Sequence, residues 1–103
     1  MEKVIRDGKV AVIYSPRYGA GWTTWSVPEE GMFHPALVEA IENEMEEESL
    51  VELCKNLFGD EFYYGGADCL VIKWLPVGTK FRITEYDGSE GIEILDEVNY
   101  HIA

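Results

Sequence analysis

Residues 80–94, Lys-Phe-Arg-Ile-Thr-Glu-Tyr-Asp-Gly-Ser-Glu-Gly-Ile-Glu-Ile, decide the fold. Phe81 and Ile83 alternate with Arg82, Thr84 and Tyr86, the two-residue period of a strand with one buried face. Asp87-Gly88-Ser89 is turn chemistry, and beyond it Ile92 and Ile94 fall inward with Glu93 outward. The stretch therefore reads as a β-hairpin. Upstream, Cys69–Leu75 is apolar except for Lys73, as a central strand is, and Pro76-Val77-Gly78 turns the chain. Downstream, Val98, Tyr100 and Ile102 alternate as a final strand.

Further from the hairpin the period changes. Pro35 suits a first helical position with His34 before it as cap. Leu37, Ile41 and Met45 then recur at helical spacing, with Glu39, Glu42, Glu46 and Glu47 on the other side. Ser49-Leu50-Val51-Glu52 has capping-box form and predicts a second helix, striped by Leu50, Leu53, Cys54, Leu57 and Phe58 and stopped by Gly59. At the N-terminal end, Lys3–Arg6 and Lys9–Tyr14 flank Asp7-Gly8 as a small hairpin. Ala11-Val12-Ile13 is continuously apolar, as in a strand covered on both faces. The expected architecture is α+β: a mainly antiparallel or mixed sheet of four to five strands, with two short helices on one face, in one domain spanning 1–103. If the first long strand lay parallel to Cys69–Leu75, the helical crossover would be right-handed.

The formal charge of −12 on 103 residues argues against sequence-independent DNA or RNA binding, which needs Lys and Arg, and against adhesion to anionic lipid. It suits solubility or attraction to a basic protein surface, with the acidic run Glu39–Glu52 as either a solvated face or the interface. No apolar stretch is long enough to span a bilayer and no secretory leader is evident, so a cytoplasmic location is expected. Cys54 and Cys69 read as buried, reduced thiols.

The densest chemistry lies in Tyr14-Ser-Pro-Arg-Tyr-Gly-Ala-Gly-Trp-Thr-Thr-Trp25. It is neither a Walker loop, for want of a lysine, nor a dinucleotide fingerprint, for want of a third glycine opening a helix. A looser anion site remains: amides at Gly19 and Gly21, hydroxyls at Thr23 and Thr24, and Arg17, with Tyr18, Trp22 or Trp25 as stacking faces. Arg82 and Tyr86 from the hairpin would join it. The alternative is a loop folded back on the sheet, its tryptophans capping the core. Cys54, Cys69, His34 and His101 lack zinc spacing, and neither thiol is set for nucleophilic work. Glu85, Asp87, Glu90 and Glu93 cluster around the last hairpin without marking a catalytic pair. Neither a metal nor a cofactor is implied.

The Ile13–Trp25 run and the Gly78–Glu90 run together resemble a family of small bacteriophage and prophage proteins. Its members carry a similar strand with a Gly-Ala-Gly-Trp loop and a similar Glu-Tyr-Asp-Gly-Ser-Glu hairpin. The resemblance supplies no activity. It implies a small accessory protein of a bacterial host's cytoplasm that acts by binding a host factor or sequestering a small molecule. It also implies that loop and hairpin face one another. Two readings follow: a non-enzymatic binder of a small anionic or nucleotide-like ligand, and an acidic protein–protein effector that engages a basic host protein. A carboxylate hydrolase is a distant third. Exposed tryptophans would equally serve a homo-oligomer.

Overall fold

A computed structural model describes residues 2–95 and 101–102, the latter without the His101 side chain. The architecture is α+β: the described residues form two α-helices, and their strands pair antiparallel. The strands divide between two three-stranded sheets instead of forming one. In the first, β1 (Ile5–Arg6), β2 (Lys9–Tyr14) and β3 (Val71–Pro76) lie in that order. In the second, β4 (Lys80–Tyr86) sits between β5 (Ser89–Ile94) and the two-residue β6 (His101–Ile102). Because β2 and β3 run antiparallel, the parallel crossover is set aside. Val98 and Tyr100 of the expected last strand lie outside the described residues.

Both two-residue turns form where the sequence places them. Asp7 and Gly8 take φ values of 52° and 74°, and Asp87 and Gly88 take 51° and 86°. Paired left-handed residues match the right-handed twist of the strands they join. Strand β2 is the centre of the molecule. Ala11 and Ile13 face the helices with Leu37, Val38, Leu50 and Cys54, while Val10 and Val12 face Met32, Phe33 and Phe81. A strand covered on both faces has no room for alternation, which is why 10–13 is continuously apolar.

Helix α1 (Pro35–Glu42) begins as expected, with His34 Nδ1 accepting the Ala36 amide at 3.1 Å. It stops before Met45, which is 40% exposed; Glu44 turns the chain at φ 54°. Helix α2 (Glu47–Phe58) starts two residues ahead of the expected capping box, and its N-cap, Glu46, makes no side-chain cap bond. Gly59 ends it at φ 113° with its amide on the Lys55 carbonyl. Two further expectations need correction. Strand β3 borders its sheet, with Val71 and Lys73 exposed, so it is an edge strand. Cys69 belongs to a 3₁₀ turn, Gly65–Cys69, that precedes it. At the other end of the second sheet Ile94 is 58% exposed and not inward. Among the described residues no helix is long and apolar enough to cross a membrane.

Cys54 lies fully buried against the first sheet, and loss of water around it pushes its thiol from 9.0 up to about 11. The folded state thus favours the neutral thiol. No stability is lost below the unfolded value near 9, and stability falls as pH rises from there toward 11. We expect native Cys54 to resist iodoacetamide at pH 8 and to react once the chain is unfolded in urea, as peptide mass mapping would read. Alkylation of Cys54 at the free-thiol rate in the native protein would contradict this burial.

Candidate functional site

The Gly-rich loop does hold an anion, and the anion belongs to the chain. Glu90, only 3% exposed, points its carboxylate into the loop. One oxygen accepts the Ser15 amide at 3.0 Å. The other accepts the Trp22 amide at 2.9 Å, the Thr24 amide at 3.0 Å and the Thr24 hydroxyl at 2.5 Å. Charge-assisted bonds of this kind are about twice as strong as neutral ones. The Glu90 amide in turn donates to the Ser15 carbonyl at 2.8 Å. Loop and hairpin are clasped at that point.

The two loop glycines are consumed in the same contact. The Gly19 amide donates to the Asp87 carbonyl at 2.6 Å and the Gly21 amide to the Gly88 carbonyl at 2.8 Å. Both glycines have positive φ, 74° and 70°, which lets successive amides point at the hairpin tip. At Gly88 a Cβ would stand 2.8 Å from the Gly19 and Ala20 nitrogens, so the close approach requires glycine on the hairpin side as well. The Ser89 hydroxyl completes the seam by donating to the Pro16 carbonyl at 2.6 Å.

Loop and hairpin are therefore adjacent as expected, and the structure disperses the other candidate residues. Trp22 is fully buried, its indole N–H donating to the Gly31 carbonyl at 3.0 Å and its ring 6.1 Å from that of Tyr64. It belongs to the core and offers no stacking face. Arg17 binds Asp68 through two nitrogens at 3.0 and 3.2 Å and the Gly65 carbonyl at 3.1 Å. Arg82 pairs with Glu93 at 3.1 Å. The two arginines thus serve different partners. Arg82, Thr23 and Thr24 do share a shallow groove of about 260 Å³, where Glu29, Met32 and Ile83 also line the wall.

What stays available at the loop is aromatic. Tyr18 meets Tyr86 edge to face at 6.3 Å, and Trp25 lies 5.8 Å from Tyr63. These four rings are 63, 76, 45 and 49% exposed, respectively, well above the ordinary exposure of such side chains. Trp25 lies across Gly21 and Gly88, so the two pairs flank one hairpin tip. The Ser26 hydroxyl accepts the Tyr63 amide at 3.0 Å and ties the Tyr63-Tyr64-Gly65-Gly66 stretch to the Gly-rich loop. Exposed Asp60, Glu61, Glu85 and Asp87 are neighbours of these rings in sequence.

Tyr63, Ser15 and Glu90 were not singled out as site residues by the sequence, yet one signal marks Glu90. It shares strand parity with Ile92 and so points inward, where an unpaired carboxylate could not remain. Among the described residues no group of three His, Cys, Asp or Glu is placed to hold a metal ion. Comparison with protein-family models, curated proteins and solved structures finds no match to this chain.

Proposed function

We propose that this protein is a non-catalytic binding module that engages a basic protein surface with the aromatic end built by the loop and hairpin. The observation that carries the reading is the set of four half-exposed rings, Tyr18, Trp25, Tyr63 and Tyr86, set around a clasped hairpin tip. Monomeric surfaces seldom gather aromatics this way without a partner, and tyrosine and tryptophan dominate binding hot spots. The charge of −12 supports an Arg- and Lys-bearing partner, whose cations would stack on the ring faces. The resemblance to small phage proteins makes a host protein the expected source.

The small-ligand reading loses its main support, because Glu90 and the hairpin carbonyls occupy the amides that would have held an anion.

The test is a fluorescence titration with an oligo-arginine peptide. Tyr18→Ala together with Tyr86→Ala should weaken binding about tenfold or more. Reversing the helix charges with Glu47→Lys and Glu48→Lys should change it far less, and Trp25→Phe should remove the signal. Binding that survives the tyrosine pair but fails with the helix pair would move the interface to the acidic helices.

A further inference from the structure

The combination that the sequence places at the Gly-rich loop, cations beside an indole, is assembled at the opposite end of β2. Arg6 and Lys9 face each other across the first hairpin as direct register partners. Like charges at opposed positions repel and destabilise a strand pair. The chain holds only eight cationic side chains against twenty acidic ones, so this juxtaposition calls for an account. Glu42 supplies half of it by accepting both Arg6 nitrogens at 2.6 and 2.8 Å. The hydrogen bond to Arg6 is the first cause that holds the Glu42 carboxyl below its ordinary range. Lys9, by contrast, has no ion-pair partner among the described residues.

The geometry around Arg6 is specific. Its guanidinium lies over the Trp74 ring, 5.2 Å from the centroid, while Glu42 fixes its edge. Even so, the Arg6 side chain is 55% exposed. A planar cation anchored on one face and one edge offers its remaining face as a stacking platform. That platform opens on a cleft of about 330 Å³ lined by Arg6, Asp7, Lys9 and Trp74. The volume lies at the lower end of the range for small-molecule sites. Asp7, held at φ 52° by the turn, adds an acceptor that suits a ligand hydroxyl or amine.

We propose that this cleft binds a small planar anion: a ring that stacks on Arg6, a phosphate or carboxylate that pairs with Lys9, and a donor group that reaches Asp7. The site is separate from the aromatic end and does not depend on the reading given for it.

Adenosine monophosphate carries all three features, and adenosine and inorganic phosphate each carry part of them. Titrated calorimetrically against the whole chain, the monophosphate should bind at least tenfold more tightly than either fragment. Lys9→Gln should bring the monophosphate down to the affinity of adenosine while leaving adenosine unchanged. Arg6→Lys keeps the charge but removes the plane, and should weaken both adenosine and the monophosphate. Both positions are exposed, and circular dichroism of each variant guards against a folding defect. Equal binding of monophosphate and inorganic phosphate, absence of binding, or indifference to Lys9→Gln would overturn the proposal. Preference for benzoate over the monophosphate would also overturn it, since benzoate has no donor group for Asp7.

Discussion

Glu90→Ala removes about 3–5 kcal/mol from the stability of the fold, because Glu90 is a buried carboxylate that four donors share. The substitution orphans three backbone amides, those of Ser15, Trp22 and Thr24, together with the Thr24 hydroxyl. Two of those bonds are buried, and a buried donor left without a partner costs about 1–3 kcal/mol. Domains of this size are stable by only about 5–15 kcal/mol, so the melting temperature should fall by on the order of 20 °C. Glu90→Gln keeps one acceptor oxygen and brings two donors where none is wanted, so it should fall between. Urea unfolding followed by circular dichroism reads all three proteins. A loss below about 1 kcal/mol for Glu90→Ala would show that water replaces the carboxylate at little cost.

Gly66→Ala should also destabilise the fold, although it deletes no hydrogen bond. An added Cβ would fall inside contact distance of the Gly21 carbonyl oxygen and 3.0 Å from the Ser15 hydroxyl. The obstacle is backbone, which cannot swing aside as a side chain can, and overpacking of this kind typically costs about 1–3 kcal/mol. Gly78 supplies the comparison. It has φ 88° and open space around its would-be Cβ, so alanine there costs about 1 kcal/mol from conformation alone. A Gly66→Ala protein as stable as Gly78→Ala would mean that the Gly65–Cys69 turn shifts freely away from the loop. The same unfolding experiment decides it.

Local chemistry made much of the fold readable. The Asp-Gly turns at residues 7–8 and 87–88 need left-handed backbone that few residue types accept. Pro35 after His34 announces a helix start that lacks a free amide. Strand β4 declares itself through Phe81 against Arg82. What was not legible depends on partners far away in sequence. In the apolar run before Leu75 only Lys73 hints that β3 lies at a sheet edge, because edge and centre otherwise differ only in what stands beside them. Helix α2 overruns its capping box because Glu47 and Glu48 are favourable at a helix N-terminus without any cap bond. At the loop, the residue types suggested a site for an external anion, whereas the Gly19 and Gly21 amides meet hairpin carbonyls and Glu90 takes those of Ser15, Trp22 and Thr24; one carboxylate among twenty acidic residues cannot be singled out by spacing. Trp22 and Trp25 look alike in sequence, yet one fills the core and the other covers two glycines at the surface.

The clasp also imposes a schedule on synthesis. Trp22 leaves the ribosome 68 residues ahead of the carboxylate that its amide requires. At about 5–20 residues per second the loop then waits for several seconds with bare amides and its indole unsheltered. Strand β2 faces a similar delay, since Phe81 on one of its sides arrives long after it. Contacts of such long range slow folding, because chain entropy must be lost before they form. Until then the N-terminal half lacks the carboxylate that pairs its Ser15, Trp22 and Thr24 amides. The clasp closes only once residue 90 has arrived.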